Sequence, residues 1–139
     1  MSNNLRQFAA AMTKIAQQVD RGSLQLMKTV TERVVTEVAV ATPIDTGQAQ
    51  LNWKTTIGRP DGTFTQIPRT AHVDGAAASI IVARLAVDRI RQGDTVYVSN
   101  NAPYIGVLNQ GYSPQAPSGY VLNAIAKAVQ SIRGVRIIP

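Results

Sequence analysis

Pro43 closes a long run of helical periodicity, and that boundary limits the possible folds more than any other single feature. From Leu5 to about Val40, apolar residues recur at steps of three and four: Leu5, Phe8, Met12, Ile15, Val19, then Leu26, Val30, Val34 and Val38. That spacing lays one apolar stripe along a helix. Proline pushes the residue before it, Thr42, out of the α region, so the helix must stop there. Gly22 falls inside the stripe and costs about 1 kcal/mol relative to Ala if the helix continues. Two readings compete. The helix runs through, kinked at Gly22, or Asp20-Arg21-Gly22-Ser23 breaks it and Ser23 caps a second helix. The continuity of the stripe favours one long helix. Its later part is rich in Val and Thr, whose branched side chains lower helix propensity, so packing has to hold it.

Beyond Pro43 the chain alternates between strand and helix signals. Gln48 to Ile57 reads as a strand, with Trp53 as its one large buried anchor. Arg59-Pro60-Asp61-Gly62 is a turn signal. Thr63 to Ile67 is then either a short returning strand, making 51–67 a hairpin, or part of an extended arm over 58–75. A middle helix opens at Asp74, a good N-cap. Its apolar rows are Ala77, Ile81, Leu85 with Asp88, and Ala78, Val82, Leu85. Arg89 and Arg91 suit its C-terminal end, and Gly93 stops it. Thr95 to Ser99 is a strand of strong β formers. Pro103 to Gln110 is a short helix ended by Gly111. Ser118 caps a last helix with Val121, Leu122, Ile125, Val129 and Ile132 on its stripe. Residues 134–139 are a short apolar tail. The expected architecture is one α+β domain over residues 1–139: a long N-terminal helix on a small antiparallel sheet, with a middle and a C-terminal helix.

Composition narrows the chemistry. The single histidine, His72, sits in a polar loop, and no Gly-x-Ser-x-Gly element accompanies it, so a serine–histidine triad is not expected. With no cysteine and eight unclustered carboxylates, neither a metal site nor thiolate chemistry is expected. No phosphate-binding or dinucleotide glycine motif is present, so no cofactor is expected. Met1-Ser2-Asn3-Asn4 lacks the pattern of a secretory signal, and no apolar run approaches the roughly 20 residues of a membrane span. Charged residues are only 16%, below the usual quarter, which suggests that other subunits cover part of the surface. The net charge is +6 with a pI near 10.2. The bases are scattered, so any nucleic-acid contact would be to phosphate and sensitive to salt. Lys54, Arg59 and Arg69 are the candidates.

Two segments carry the remaining information. The first runs Ala41-Thr-Pro-Ile-Asp-Thr-Gly-Gln-Ala-Gln-Leu-Asn-Trp53. Asp45 suits an Asx turn and Gly47 a positive φ. The second runs Val96-Tyr-Val-Ser-Asn-Asn-Ala-Pro-Tyr-Ile-Gly-Val-Leu-Asn-Gln-Gly-Tyr112. Pro43, Asp45, Thr46, Gly47, Leu51 and Trp53 resemble the P-x-D-T-G signature of the tailed-phage neck, or tail-completion, proteins. Tyr97, Asn100, Tyr104, Leu108 and Gly111 resemble that family's second motif. Where the family often has Glu before the final Gly, this chain has Asn109-Gln110, so no role for that carboxylate carries over. The resemblance implies a small α+β virion subunit, assembled in the host cytoplasm, that forms a six- or twelve-fold homo-oligomeric ring at the head–tail junction. The implied partners are the head-completion or connector protein, the tail terminator or tail tube protein, and genome DNA in the channel, with no membrane. A tail terminator ring, or a small basic DNA-binding protein, is the alternative.

Overall fold

The structure, a computed structural model, describes residues 17–18, 24–44, 46–68, 70–111 and 118–132. The expected α+β architecture is what it shows. In chain order the elements are β1 (Gln17–Gln18), α1 (Leu24–Ala41), α2 (Gln48–Leu51), β2 (Trp53–Ile57), α3 (Gly75–Val87), β3 (Thr95–Asn100), α4 (Ile105–Asn109) and α5 (Tyr120–Ile132). The sheet has the order β1-β3-β2, antiparallel throughout, with Trp53 opposite Asn100 and Ile57 opposite Val96. No described helix is long and apolar enough to cross a membrane.

The one-helix reading of residues 5–40 is corrected. Gln17–Gln18 is a strand paired with Val96 and Thr95, and the helix begins only at Leu24. Gly22 lies in the interval between them, and pairing along the β3 edge satisfies backbone groups that a continuous helix would have kept for itself. Residues 1–16, Ser23 with its expected cap, Asp45, Arg69, the 112–117 loop and the 134–139 tail lie outside the described residues.

Helix α1 is the centre of the molecule and packs against both α3 and α5. Its Val34, Val35, Val38 and Ala39 join Trp53, Ala83, Val98, Tyr120, Val121, Ala124 and Ala128 in the main core. A second cluster of Met27, Val87, Ile90 and Val96 closes the other end. The helix tolerates its threonines because they turn their hydroxyls back on the preceding turn. Thr29 donates to the Gln25 carbonyl at 3.0 Å, Thr36 to Glu32 at 2.8 Å and Thr42 to Val38 at 2.6 Å. Ion pairs Arg84–Glu32 (3.0 Å) and Lys127–Glu37 (3.7 Å) tie α1 to α3 and α5. The basic partner of each is well exposed, so both contribute little.

Two elements differ from the sequence expectation, and at 63–67 the strand alternative is absent. Residues 48–51 are a helical turn, not the start of a strand, and β2 begins at Trp53. Helix α3 stops at Val87, so Arg84 occupies its last turn while Arg89 and Arg91 lie in the following turns, which also hold Gly93. Asp74 does cap α3, accepting the Ala77 amide at 3.0 Å.

The buried face of α3 is also the opposite of the expected one. Gly75, Ser79, Ala83 and Val87 are buried, whereas Ile81, Val82 and Leu85 are 57%, 44% and 58% exposed. Small residues line the inner face because α3 must approach neighbouring backbone closely. A Cβ on Gly75 would lie 2.2 Å from the Gly47 carbonyl oxygen. On α5, Val121 is buried and Ile125 half-buried as expected, but Leu122 is 64% exposed, and Ala124 and Ala128 take the inner positions.

Ala83 is fully buried between helices whereas Ala77 is exposed. Ala83→Leu is therefore expected to cost about 1–3 kcal/mol through overpacking, while Ala77→Leu stays within about 0.5 kcal/mol. Urea unfolding of the two variants checks this; a larger cost at Ala77 than at Ala83 would mean that the helix is docked on the other face.

Candidate functional site

The two motif segments meet in one polar junction at the end of α1. Pro43 forces the chain off the helix, leaving terminal carbonyls without intrahelical partners. The Gln50 carboxamide supplies them: its Nε2 donates to the Ala39 carbonyl at 3.1 Å and to that of Thr42 at 3.3 Å. The Gln50 carbonyl in turn accepts the Ser79 hydroxyl of α3. Trp53, fully buried, donates its indole N–H to the Thr42 hydroxyl at 2.9 Å. Pro43 is buried beside this chain of contacts, and Leu51, the last residue of α2, is half-buried.

Gly47 makes the junction possible. Its φ is 90°, and a Cβ there would sit 2.1 Å from the Val73 carbonyl oxygen. Thr46 accepts the Val73 amide at 2.9 Å through its carbonyl, and the Gln48 amide reaches its hydroxyl at 3.4 Å. The segment before α3 is thereby fixed against the turn that follows α1.

The second motif closes the junction from the β3 side. Asn100, buried, donates to the Ala49 carbonyl at 2.9 Å and accepts the Ala102 amide at 3.0 Å. The Tyr104 hydroxyl accepts from Gln48 Nε2 at 2.9 Å, and its ring meets Phe64 edge-on with centroids 6.5 Å apart. Leu108 packs against the main core. Gly111 adopts φ 90° against Ser118. Asn109 caps α5: its carbonyl accepts the Gly119 amide at 2.6 Å and its side chain the Val121 amide at 3.0 Å. It takes the capping role expected of Ser118.

The segment after β2 is strapped over this junction and the outer sheet face. Asn52 is fully buried, and its carboxamide reads the backbone of Thr65 at both ends, donating to the carbonyl at 2.8 Å and accepting the amide at 2.7 Å. Gln48 Oε1 accepts the Ile67 amide at 2.8 Å. Ser99 and Asn101 both donate to the Asp61 carbonyl. The Asp61 carboxylate accepts the hydroxyl and amide of Thr63, and these bonds hold its pKa below the ordinary carboxylate range.

Of the basic candidates, Lys54 is engaged, its ammonium 2.7 Å from the Thr65 hydroxyl. Arg59 is exposed, with its carbonyl accepting the Thr56 hydroxyl at 2.6 Å. His72 is exposed in the loop before α3. Among the described residues no group of three His, Cys, Asp or Glu could hold a metal ion. The two segments are thus joined to each other, Asn100 through the Ala49 carbonyl and Tyr104 through the Gln48 side chain. Sequence reasoning missed Gln48, Gln50, Asn52, Gly75 and Asn109. The alternating amides 48, 50 and 52 were the available signal, but amides carry no periodicity that separates a partnered one from a solvated one.

Tyr120 is the electrostatic anomaly. Burial pushes its hydroxyl pKa up to about 12, against a weaker opposing pull from the Thr42 hydroxyl. The Thr42 proton goes to the Val38 carbonyl, and the Tyr120 hydroxyl makes no hydrogen bond of good geometry.

No protein-family model, curated protein or solved structure matches this chain.

Two outcomes test this geometry. Gly47→Ala is expected to destabilise by roughly 1–3 kcal/mol from backbone strain alone, with the Val73 clash added, in chemical denaturation; a neutral effect would contradict the close approach. Tyr120 is neutral in the folded state up to about pH 12 but ionises near pH 10 when unfolded. Its contribution is therefore full below pH 10 and is lost as pH rises toward 12. Tyr120→Phe should flatten that alkaline fall in melting temperature while leaving neutral-pH stability equal or higher. A wild-type alkaline slope in the variant would assign the fall to other groups.

Proposed function

We propose that this chain is a structural subunit of a tailed phage. It forms a homo-oligomeric ring at the head–tail junction, completing the tail, joining it to the head-completion protein and leaving a channel for DNA. Its task is stoichiometric association, performed by surfaces. The observation that carries this reading is the outer face of α3. Eleven of its thirteen residues, all but Ser79 and Arg84, are glycine or apolar. A helix that is apolar all round is ordinarily covered all round, yet Ala77, Ala78, Ile81, Val82 and Leu85 face solvent. An exposed apolar row poor in charge has the composition of an interface core.

Three further features support the reading. The two segments that resemble the neck family's motifs are joined by hydrogen bonds, as expected if they form one structural unit. Their polar side chains are engaged with backbone groups, which suits a scaffold better than a reactive centre. In a ring each subunit gives one face and accepts another, and the apolar residues exposed on α5, Leu122 and Val129, offer a second face. Contact with DNA in the channel would be to phosphate, with Arg59 the freer of the two described candidate bases.

Leu85→Arg and Ile81→Arg test the carrying observation directly. Each should fold as the wild type does, because the altered side chain is more than half exposed. Each should shift the sedimenting species from oligomer to monomer. Particles made without the chain should appear in electron micrographs as filled heads beside unattached tails. A wild-type chain that stays monomeric and binds duplex DNA tightly at low salt would instead favour a small basic DNA-binding protein.

A further inference from the structure

The segment from Arg59 to Pro68 is held to the body almost entirely by polar contacts. None of residues 59–68 is described as buried, and only Asp61, Phe64 and Ile67 are half-covered. Beneath it, Asn52 is 0% and Ser99 5% exposed. The strap therefore covers buried polar groups while burying little apolar surface of its own. Its one aromatic contact is Phe64 edge-on to Tyr104. Gly58, at φ 92° with its amide bonded to the Thr95 carbonyl at 2.8 Å, ends the sheet ladder where the strap begins. A turn from the Pro68 carbonyl to the Ala71 amide follows the other end.

Segments held this way exchange their hydrogen bonds for water at small net cost and open without unfolding the core. The Asn52 carboxamide is the main latch, because it takes both backbone groups of Thr65 and recognises no side chain. Gln48 adds the Ile67 amide. We propose that residues 59–68 are a releasable strap, held closed in the free subunit by the Asn52 and Gln48 carboxamides and opened as a unit when subunits associate. The opening itself stands on the hydrogen bonds alone; its coupling to association rests on the function proposed above. Opening uncovers Asn52, Ser99 and Asn101, a row of amide and hydroxyl groups suited to the extended backbone of a second copy.

Amide hydrogen exchange on the purified full chain tests the opening. The Thr65 and Ile67 amides should exchange together, at least about tenfold faster than those of β3. Asn52→Ala should speed exchange at Ile67, which Asn52 does not touch, and Gln48→Ala should speed it at Thr65, with Trp53 emission unchanged. Acceleration confined to each variant's own partner, or protection equal to that of β3, overturns the strap as a unit.

The coupling is tested by a lock. The chain has no cysteine, and the Ser99 hydroxyl bonds the Asp61 backbone carbonyl at 3.2 Å, so Asp61→Cys with Ser99→Cys is the lock, and thiol titration reads whether its disulfide has closed. The oxidised variant should remain monomeric and recover association on reduction. Association at the wild-type level while oxidised overturns the coupling. A wild-type chain that never associates overturns the function reading and the coupling, leaving the exchange result standing.

Discussion

The structure depends on how the C-terminal end of α1 is satisfied inside the protein. Pro43 stops the helix in a buried place, where terminal carbonyls cannot turn to water. Gln50 and the Thr42 hydroxyl answer that need, and both reach into other elements: Gln50 to α3 through Ser79, and Thr42 to β2 through Trp53. One local problem of helix termination thereby sets the position of the sheet and of the middle helix. The tight turn at Gly47 and the small face of α3 follow from it, because the two backbones must pass at a distance that admits no Cβ.

That economy has a consequence at the surface. With its small residues turned inward, α3 presents its large apolar ones outward. The polar side chains of the junction are engaged within the chain, and the large apolar residues left exposed among the described ones include Ile81, Val82 and Leu85 on α3, Leu122 and Val129 on α5, and Val40, Ile44 and Val73 beside the junction.

Much of this was legible in the residues, and the failures have physical causes. Asp74 as a cap, β3, the short α4, the burial of Trp53 and the positive φ at Gly47 follow from turn and capping chemistry that acts locally. The orientation of α3 was not legible, since a helix apolar on every side gives periodicity nothing to choose between. Small residues take the inner face only because of a close approach that the linear chain does not reveal. Gln48, Ala49, Gln50 and Leu51 are all good helix formers, so their helical turn agrees with local propensity, and it brings Gln50 to the end of α1. The apolar spacing continues across Gly22 and so points to one helix; the pairing of Gln17 and Gln18 with β3 breaks it. The candidate site was half-read: the motif positions do gather in one place, but the amides that join them carry no signal of their own.

The most direct measurement of the central claim is electron cryo-microscopy of the purified wild-type chain in its associated state. The account predicts a closed ring in which Ile81 and Leu85 are buried between subunits. A chain monomeric at every concentration, or a ring in which the outer row of α3 faces solvent, would contradict it.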